Sequence, residues 1–146
     1  MSEDVHRRGK TMNEIKEGDS LTVAESINDR DLLLYLGLTN DNNPLYIQHD
    51  YTKGTEYKGP IIPPILLMGI ITSSISKVFP GPGSDIVNIQ SNFVKPVYHD
   101  EMVTFSFEVI KVDQMKEVVT LSVEGQNNED ERVLDAVIMV KPPKML

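Results

Sequence analysis

Apolar positions along the chain follow two rhythms, and the change falls at "PGPG", residues 80–83. Downstream, four segments read as successive strands: "DIVNIQSNFVKPV", "EMVTFSFEVIKV", "EVVTLSVEGQ" and "RVLDAVIMVK". The second is the clearest. Val103, Phe105, Phe107 and Val109 recur at alternate positions, the period of a strand with one buried face. The polar turns "YHDE", "DQMK" and "NNED" separate these segments. Upstream, "SLTVAESI" alternates imperfectly and predicts a first strand. "NDRDLLLYLGL" predicts a short helix, with Asn28 or Asp29 as N-cap and acidic residues in the first turn, where the helix dipole favours them. "HDYTKGTEYKGP" reads as a helical turn and a loop. The strongest helix is "PILLMGIITSSISKV", from Pro64 to about Val78. Proline is tolerated at a first turn, and a segment apolar nearly all round is expected to be buried. A long apolar helix followed by strands that must cover it predicts an α+β domain, an antiparallel sheet wrapped around a central helix.

Composition narrows the chemistry. The 146 residues are most simply one domain, with residues 1–18 a flexible lead-in and residues 19–146 the folded unit. There is no cysteine, which removes disulfides, cysteine-rich zinc sites and thiol nucleophiles together. The net charge is −8, and the only basic cluster is "HRRGK" near the start. Such a chain is ill suited to a nucleic-acid backbone, and an anionic ligand needs local positive charge to approach it. The N-terminal residues carry no apolar signal-peptide core. The longest apolar run, "IIPPILLMGII", is broken by two prolines and is too short to span a bilayer. The expectation is a soluble, cytoplasmic protein without membrane insertion.

Candidate chemistry concentrates in "TNDNNPLYIQH", Thr39 to His49. Asp41 and His49 are a pair able to move a proton. Pro44 forbids regular helix at Asn43, and an Asp ahead of Asn-Pro ordinarily forms an Asx-turn. Tyr46 reads as a packed aromatic whose hydroxyl bonds locally. His49 reads as a surface residue and His99 as part of a solvated turn; His6 falls in the lead-in. Ser73, Ser74 and Ser76 sit late on the long helix, where serines commonly bond back to the carbonyl one turn earlier. There is no G-x-S-x-G elbow and no metal-ligand spacing, so no metal and no cofactor are expected.

Four stretches, in order, resemble the hot-dog fold in its MaoC-like, (R)-specific enoyl-CoA hydratase branch. They are "NDRDLLLYLGLTNDNNPLY", "YKGPIIPPILLMGIITSSI", "FPGPGSDIVNIQSNFVKPVYHDEMVTF" and "DERVLDAVIMV". The resemblance covers about residues 20 to 141. It implies hydration of trans-2-enoyl thioesters, or dehydration of (R)-3-hydroxyacyl thioesters, in fatty acid metabolism. The substrate is an acyl-CoA or acyl-carrier-protein thioester, handled by a loop Asp, a His five residues later, and a backbone N–H at the central helix entrance. It also implies a dimer, either a homodimer or a pair with a homologous subunit, with the two sheets continuous.

Carried over by position, Asp41 falls on the family Asp, and Asn43 and Pro44 on the Asn-Pro that braces the loop. Tyr46 falls where the His stands. Tyrosine has an ordinary pKa of about 10, against about 6.5 for histidine. At the helix entrance, Ile62-Pro63-Pro64-Ile65 replaces the family's Ala-His-Gly-Met. If Pro64 stands at the Gly, that N–H is absent, and Ile65 N–H is the available substitute. Met68 is a candidate acyl-tunnel residue. Three functions follow: a hydratase with Asp41 assisted by Tyr46 or His49, a non-catalytic acyl-thioester-binding subunit, and a hot-dog thioesterase. The last ranks lowest, because the central helix carries no acid. The enzyme reading expects the Asp41 carboxylate within reach of Tyr46 or His49, directly or through one water.

Overall fold

The computed structural model describes residues 8–144, so His6 and the first part of the expected lead-in lie outside that range. The element order is β1 (Ser20–Ser26), α1 (Asp29–Thr39), α2 (Pro44–Ile47), α3 (His49–Thr52), α4 (Pro64–Lys77), β2 (Asp85–Phe93), β3 (Met102–Asp113), β4 (Val118–Gln126) and β5 (Arg132–Lys141). The strands form one antiparallel sheet in the order β1-β3-β4-β5-β2. Two tight connections make β3, β4 and β5 neighbours in chain order. The first strand, β1, pairs with β3, and β2 crosses to the far edge against β5.

Period-two patterning puts one face of this sheet against α4. Val103, Phe105, Phe107 and Val109 of β3 are buried, and their intervening neighbours are not. They share one core with Leu121 and Val123 of β4, Ala136 and Ile138 of β5, and Leu67, Met68, Ile71 and Ile75 of α4. Burying each large side chain contributes about 1.5–3 kcal/mol, so this packing holds the helix on the sheet. Phe79, just beyond α4, meets Phe107 edge to face with ring centroids 5.9 Å apart.

The expected burial of α4 holds on one side only. Leu67, Met68, Ile71 and Ile75 face the core, whereas Ile65 and Gly69 are exposed. The outward side carries Ile65 beside Gly69 and Ser76, so it keeps enough apolar character to blur the distinction in the sequence.

The residues ahead of β1 also depart from expectation. Gly9 N–H donates to the Pro82 carbonyl (2.8 Å), Lys10 N–H to that of Pro80 (2.9 Å) and Gly18 N–H to that of Val109 (2.9 Å). Ile15 is buried in the core. Thr11 and Glu14 close a capping box around a 3-10 turn, Met12–Glu14. The described part of the lead-in is therefore hydrogen-bonded to the domain. A single buried isoleucine in a polar stretch has no periodicity to announce it.

His99 likewise leaves the solvated turn expected of it. Its ring is three-quarters covered, with Nδ1 3.1 Å from Asp29 Oδ1 and Nε2 buried without a partner. The corner before β3 is thus pinned to the start of α1.

Candidate functional site

The loop from Thr39 to Ile47 is built by local chemistry. Asn28 N-caps α1 and accepts from Asp31 N–H (3.1 Å). The helix ends at Asn40, which stands in the left-handed region at φ 56°, a conformation asparagine tolerates better than most residues. That reversal turns the chain so that Asp41 folds back toward its own helix. Asn43 then caps α2 through its side chain, accepting from Leu45 N–H (3.0 Å), with Pro44 at the first helical position.

Asp41 has two fixed donors, one on each carboxylate oxygen. Asn43 N–H donates to Oδ1 (3.1 Å), the Asx-turn expected from the sequence. Tyr35 O–H donates to Oδ2 (2.9 Å). This second partner was not expected, and of the expected partners neither Tyr46 nor His49 bonds the carboxylate directly. Tyr35 lies on α1, six residues before Asp41. It stands among the leucines of α1, and nothing in the sequence reading singled it out. A phenol about a turn and a half upstream of an Asp at a helix end was the available signal.

Tyr46 is half-buried and near, but not the direct partner. Burial, and then the Asp41 charge, raise its pKa above the ordinary phenol value, while the Asn43 side chain opposes them. Tyr35 is raised by burial, by its hydrogen bond to Asp41 and by that carboxylate's charge, with a smaller push from Tyr46. Both phenols are therefore neutral donors at physiological pH. Neither is a base.

His49 opens α3 and is exposed, its Nδ1 lying beside Gly59. It has no hydrogen bond to Asp41 and stays apart from the pair.

The loop is joined to the entrance of α4. Ile61 N–H donates to the Leu45 carbonyl (2.9 Å), and Ile62 N–H to that of Val97 (2.7 Å). Pro63 is the N-cap and Pro64 the first helical residue. Pro64 has no N–H, and Leu66 N–H donates to the Pro63 carbonyl (2.9 Å). Ile65, exposed at this end, supplies one of the backbone donors that no carbonyl of the helix can accept. An apolar cleft of about 160 Å³ opens here, lined by Ile61, Pro64, Leu67, Phe93 and others, with Lys95 at its side. A second groove of about 360 Å³ runs along Leu66, Gly69, Ile70 and Ser73 of α4, with Ile27 and Asp31 opposite. Met68 lines neither. It points into the core instead of the acyl tunnel expected of it. Ser74 O–H bonds back to the Ile70 carbonyl (2.9 Å), as expected of a helix serine. Among the described residues, no three His, Cys, Asp or Glu side chains cluster as metal ligands.

A sheet packed on one long helix, with a braced carboxylate loop tied to that helix's entrance, defines a hot-dog domain of the hydratase type. The MaoC-like domain profile matches residues 10–131. An (R)-specific enoyl-CoA hydratase of Rhodospirillum rubrum is 35% identical over 107 residues, covering 73% of this chain and 74% of that protein. A 3-hydroxybutyryl-CoA dehydratase of Methylorubrum extorquens is 24% identical over 131 residues, 90% of this chain and 83% of that one. The solved unliganded R-hydratase PhaJ1 of Pseudomonas aeruginosa superimposes with a TM-score of 0.86 at 25% identity, over 94% of this chain and 88% of that one. The chain belongs to the MaoC-like domain family.

Proposed function

We propose that this protein is a hydratase/dehydratase of acyl-CoA thioesters, interconverting trans-2-enoyl and (R)-3-hydroxyacyl forms within fatty acid metabolism. The observation that carries the reading is Asp41, with both carboxylate oxygens held in the loop that joins the entrance of α4. The names of the relatives above support the same substrate class. In this reading Asp41 exchanges a proton with water or with the 3-hydroxyl. The Ile65 backbone N–H at the start of α4 receives the negative charge that develops on the thioester oxygen. The 160 Å³ cleft beside Pro64 accepts the thioester end of the substrate. The chemistry uses side-chain acid–base groups and needs no further cofactor.

The working unit in this reading is a homodimer joined along β2. That strand is one edge of the sheet and leaves a row of backbone groups open to pairing. Val87, Ile89, Phe93 and Val94 are exposed along it and just beyond, and Ile65 is exposed on α4. A cytoplasmic location fits an acyl-CoA substrate. Among the described residues no helix is long and apolar enough to cross a membrane.

One observation favours a second reading, a subunit that binds acyl thioesters without turning them over. Pro64 has no amide N–H to offer at the helix entrance, and by the family resemblance Tyr46 falls at the histidine position. Following the loss of enoyl absorbance from crotonyl-CoA and longer enoyl-CoAs separates the two. Turnover is expected. Saturable acyl-CoA binding with no turnover overturns the enzyme reading in favour of the second.

A further inference from the structure

Asp41 is held by a closed ring of hydrogen bonds that runs through α1. Tyr35 O–H donates to Asp41 Oδ2 (2.9 Å). Asp41 N–H donates to Thr39 Oγ1 (3.2 Å). Thr39 O–H donates to the Tyr35 carbonyl (2.8 Å). The ring ties the side chain and the backbone of Asp41 to the last turn of one helix, while Asn43 N–H holds Oδ1 from the other side (3.1 Å). Two donors on different oxygens and different elements fix the plane of the carboxylate. Each oxygen still has a lone pair, because a carboxylate offers about four acceptor sites.

We propose that Tyr35 is a positioning residue for Asp41, and that Asp41 alone carries the proton in this chain. The proposal rests on the hydratase reading. It replaces a carboxylate–imidazole pair with a carboxylate oriented by a phenol from the preceding helix. In hydration, the water oxygen bonds to C3 of the enoyl group while its proton passes to Asp41. The C2=C3 π pair moves onto C2 and the thioester carbonyl, and Asp41 then returns the proton to C2. Water adds whole, Asp41 ends as it began, and no other reactant is required. Both phenols keep their protons throughout, as their raised pKa values favour.

A hydrogen bond to an ionised group that orients a reacting carboxylate is worth roughly a 10–100-fold effect. Tyr35→Phe retains the ring and loses only that donor. With crotonyl-CoA its kcat is expected to fall ~10-fold or more while KM stays within about threefold, the signature of an interaction used in the transition state and not in binding. A lost fold would raise KM or abolish the circular dichroism instead. A second measurement is independent of turnover. In Asp41→Asn the Tyr35 phenol loses its charged acceptor, so the part of the ultraviolet-monitored ionisation that Tyr35→Phe removes is expected at lower pH than in the parent chain. A Tyr35→Phe protein with parental kcat, in a chain that Asp41→Asn inactivates, overturns the positioning role and leaves the hydratase reading standing. Unchanged phenol ionisation in Asp41→Asn also overturns it. An inactive parent chain overturns both.

Discussion

Replacing Tyr46 by histidine asks whether the chemistry is limited by the missing imidazole. With an ordinary pKa near 10, a phenol is ionised in only about one molecule per thousand at pH 7. Burial and the Asp41 charge push Tyr46 further from ionisation. An imidazole of ordinary pKa ~6.5 is about three-quarters neutral at the same pH. The population of competent base at position 46 therefore rises by roughly three orders of magnitude in Tyr46→His. The weaker intrinsic basicity of imidazole takes back part of that gain, leaving an expected increase in kcat of ~10-fold. The Asp41 charge that disfavours a phenolate stabilises the imidazolium formed on proton uptake, and it also lowers the neutral fraction below three-quarters. The assay is enoyl-CoA hydration across pH 5–9, comparing kcat and KM. A rise in kcat with a new dependence on pH near the imidazole range is expected. A fall in kcat, with folding intact, refutes the reasoning. It would mean that the Tyr46 hydroxyl is itself used by the parent reaction and that the position is adapted, not vacant.

Three further predictions concern fold and assembly. Ile75 is fully buried against the sheet, so Ile75→Ala is expected to cost about 2–5 kcal/mol and to lower Tm by ~5–15 °C in thermal unfolding; a shift under about 2 °C contradicts the core assignment. Glu14 is held at a pKa of about 2, first by the Thr11 backbone N–H, then by the Arg8 and Thr11 side chains. Because its pKa is depressed on folding, its contribution is present above the ordinary carboxylate value and is lost as pH falls toward 2. A carboxyl titration by NMR should therefore find Glu14 still ionised at pH 3.5, and a midpoint near 4.5 contradicts the clasp. Phe93→Asp, on the exposed edge strand, is expected to convert a dimer to monomer in sedimentation velocity without loss of helix or strand signal; an unchanged dimer moves the interface elsewhere.

The elements themselves were legible because their signals are local. Alternation at Val103, Phe105, Phe107 and Val109 specified β3, and Pro64 with the apolar run behind it specified α4. The sheet order was not legible, since nothing in "DIVNIQSNF" says that it crosses to pair with β5 instead of its neighbour β3. Order depends on which edges remain free once α4 has covered one face. The lead-in hid its role for a similar reason: its anchors are backbone donors at Gly9, Lys10 and Gly18, which any sequence carries. In the site, the Asx-turn at Asp41 was readable from an Asp ahead of Asn-Pro, and the positions Asp41, Asn43 and Pro44 were singled out by the family resemblance. The partner of Asp41 was not, because the left-handed turn at Asn40 folds the carboxylate back onto α1. Linear distance along the loop pointed forward to Tyr46 and His49, while the bond that forms points backward to Tyr35.

The central claim is that the carboxylate of Asp41 carries the reaction. Its most direct test compares the parent chain with Asp41→Asn on crotonyl-CoA, under conditions where acyl-CoA binding to both is measured in the same samples. Asparagine keeps one acceptor oxygen, for the Asn43 N–H, and turns its amide N–H toward the Tyr35 oxygen, but it cannot take a proton. The account predicts binding within a few-fold of the parent and kcat lower by ~10²–10⁴-fold. An Asp41→Asn protein that binds acyl-CoA and hydrates it at the parental rate contradicts it.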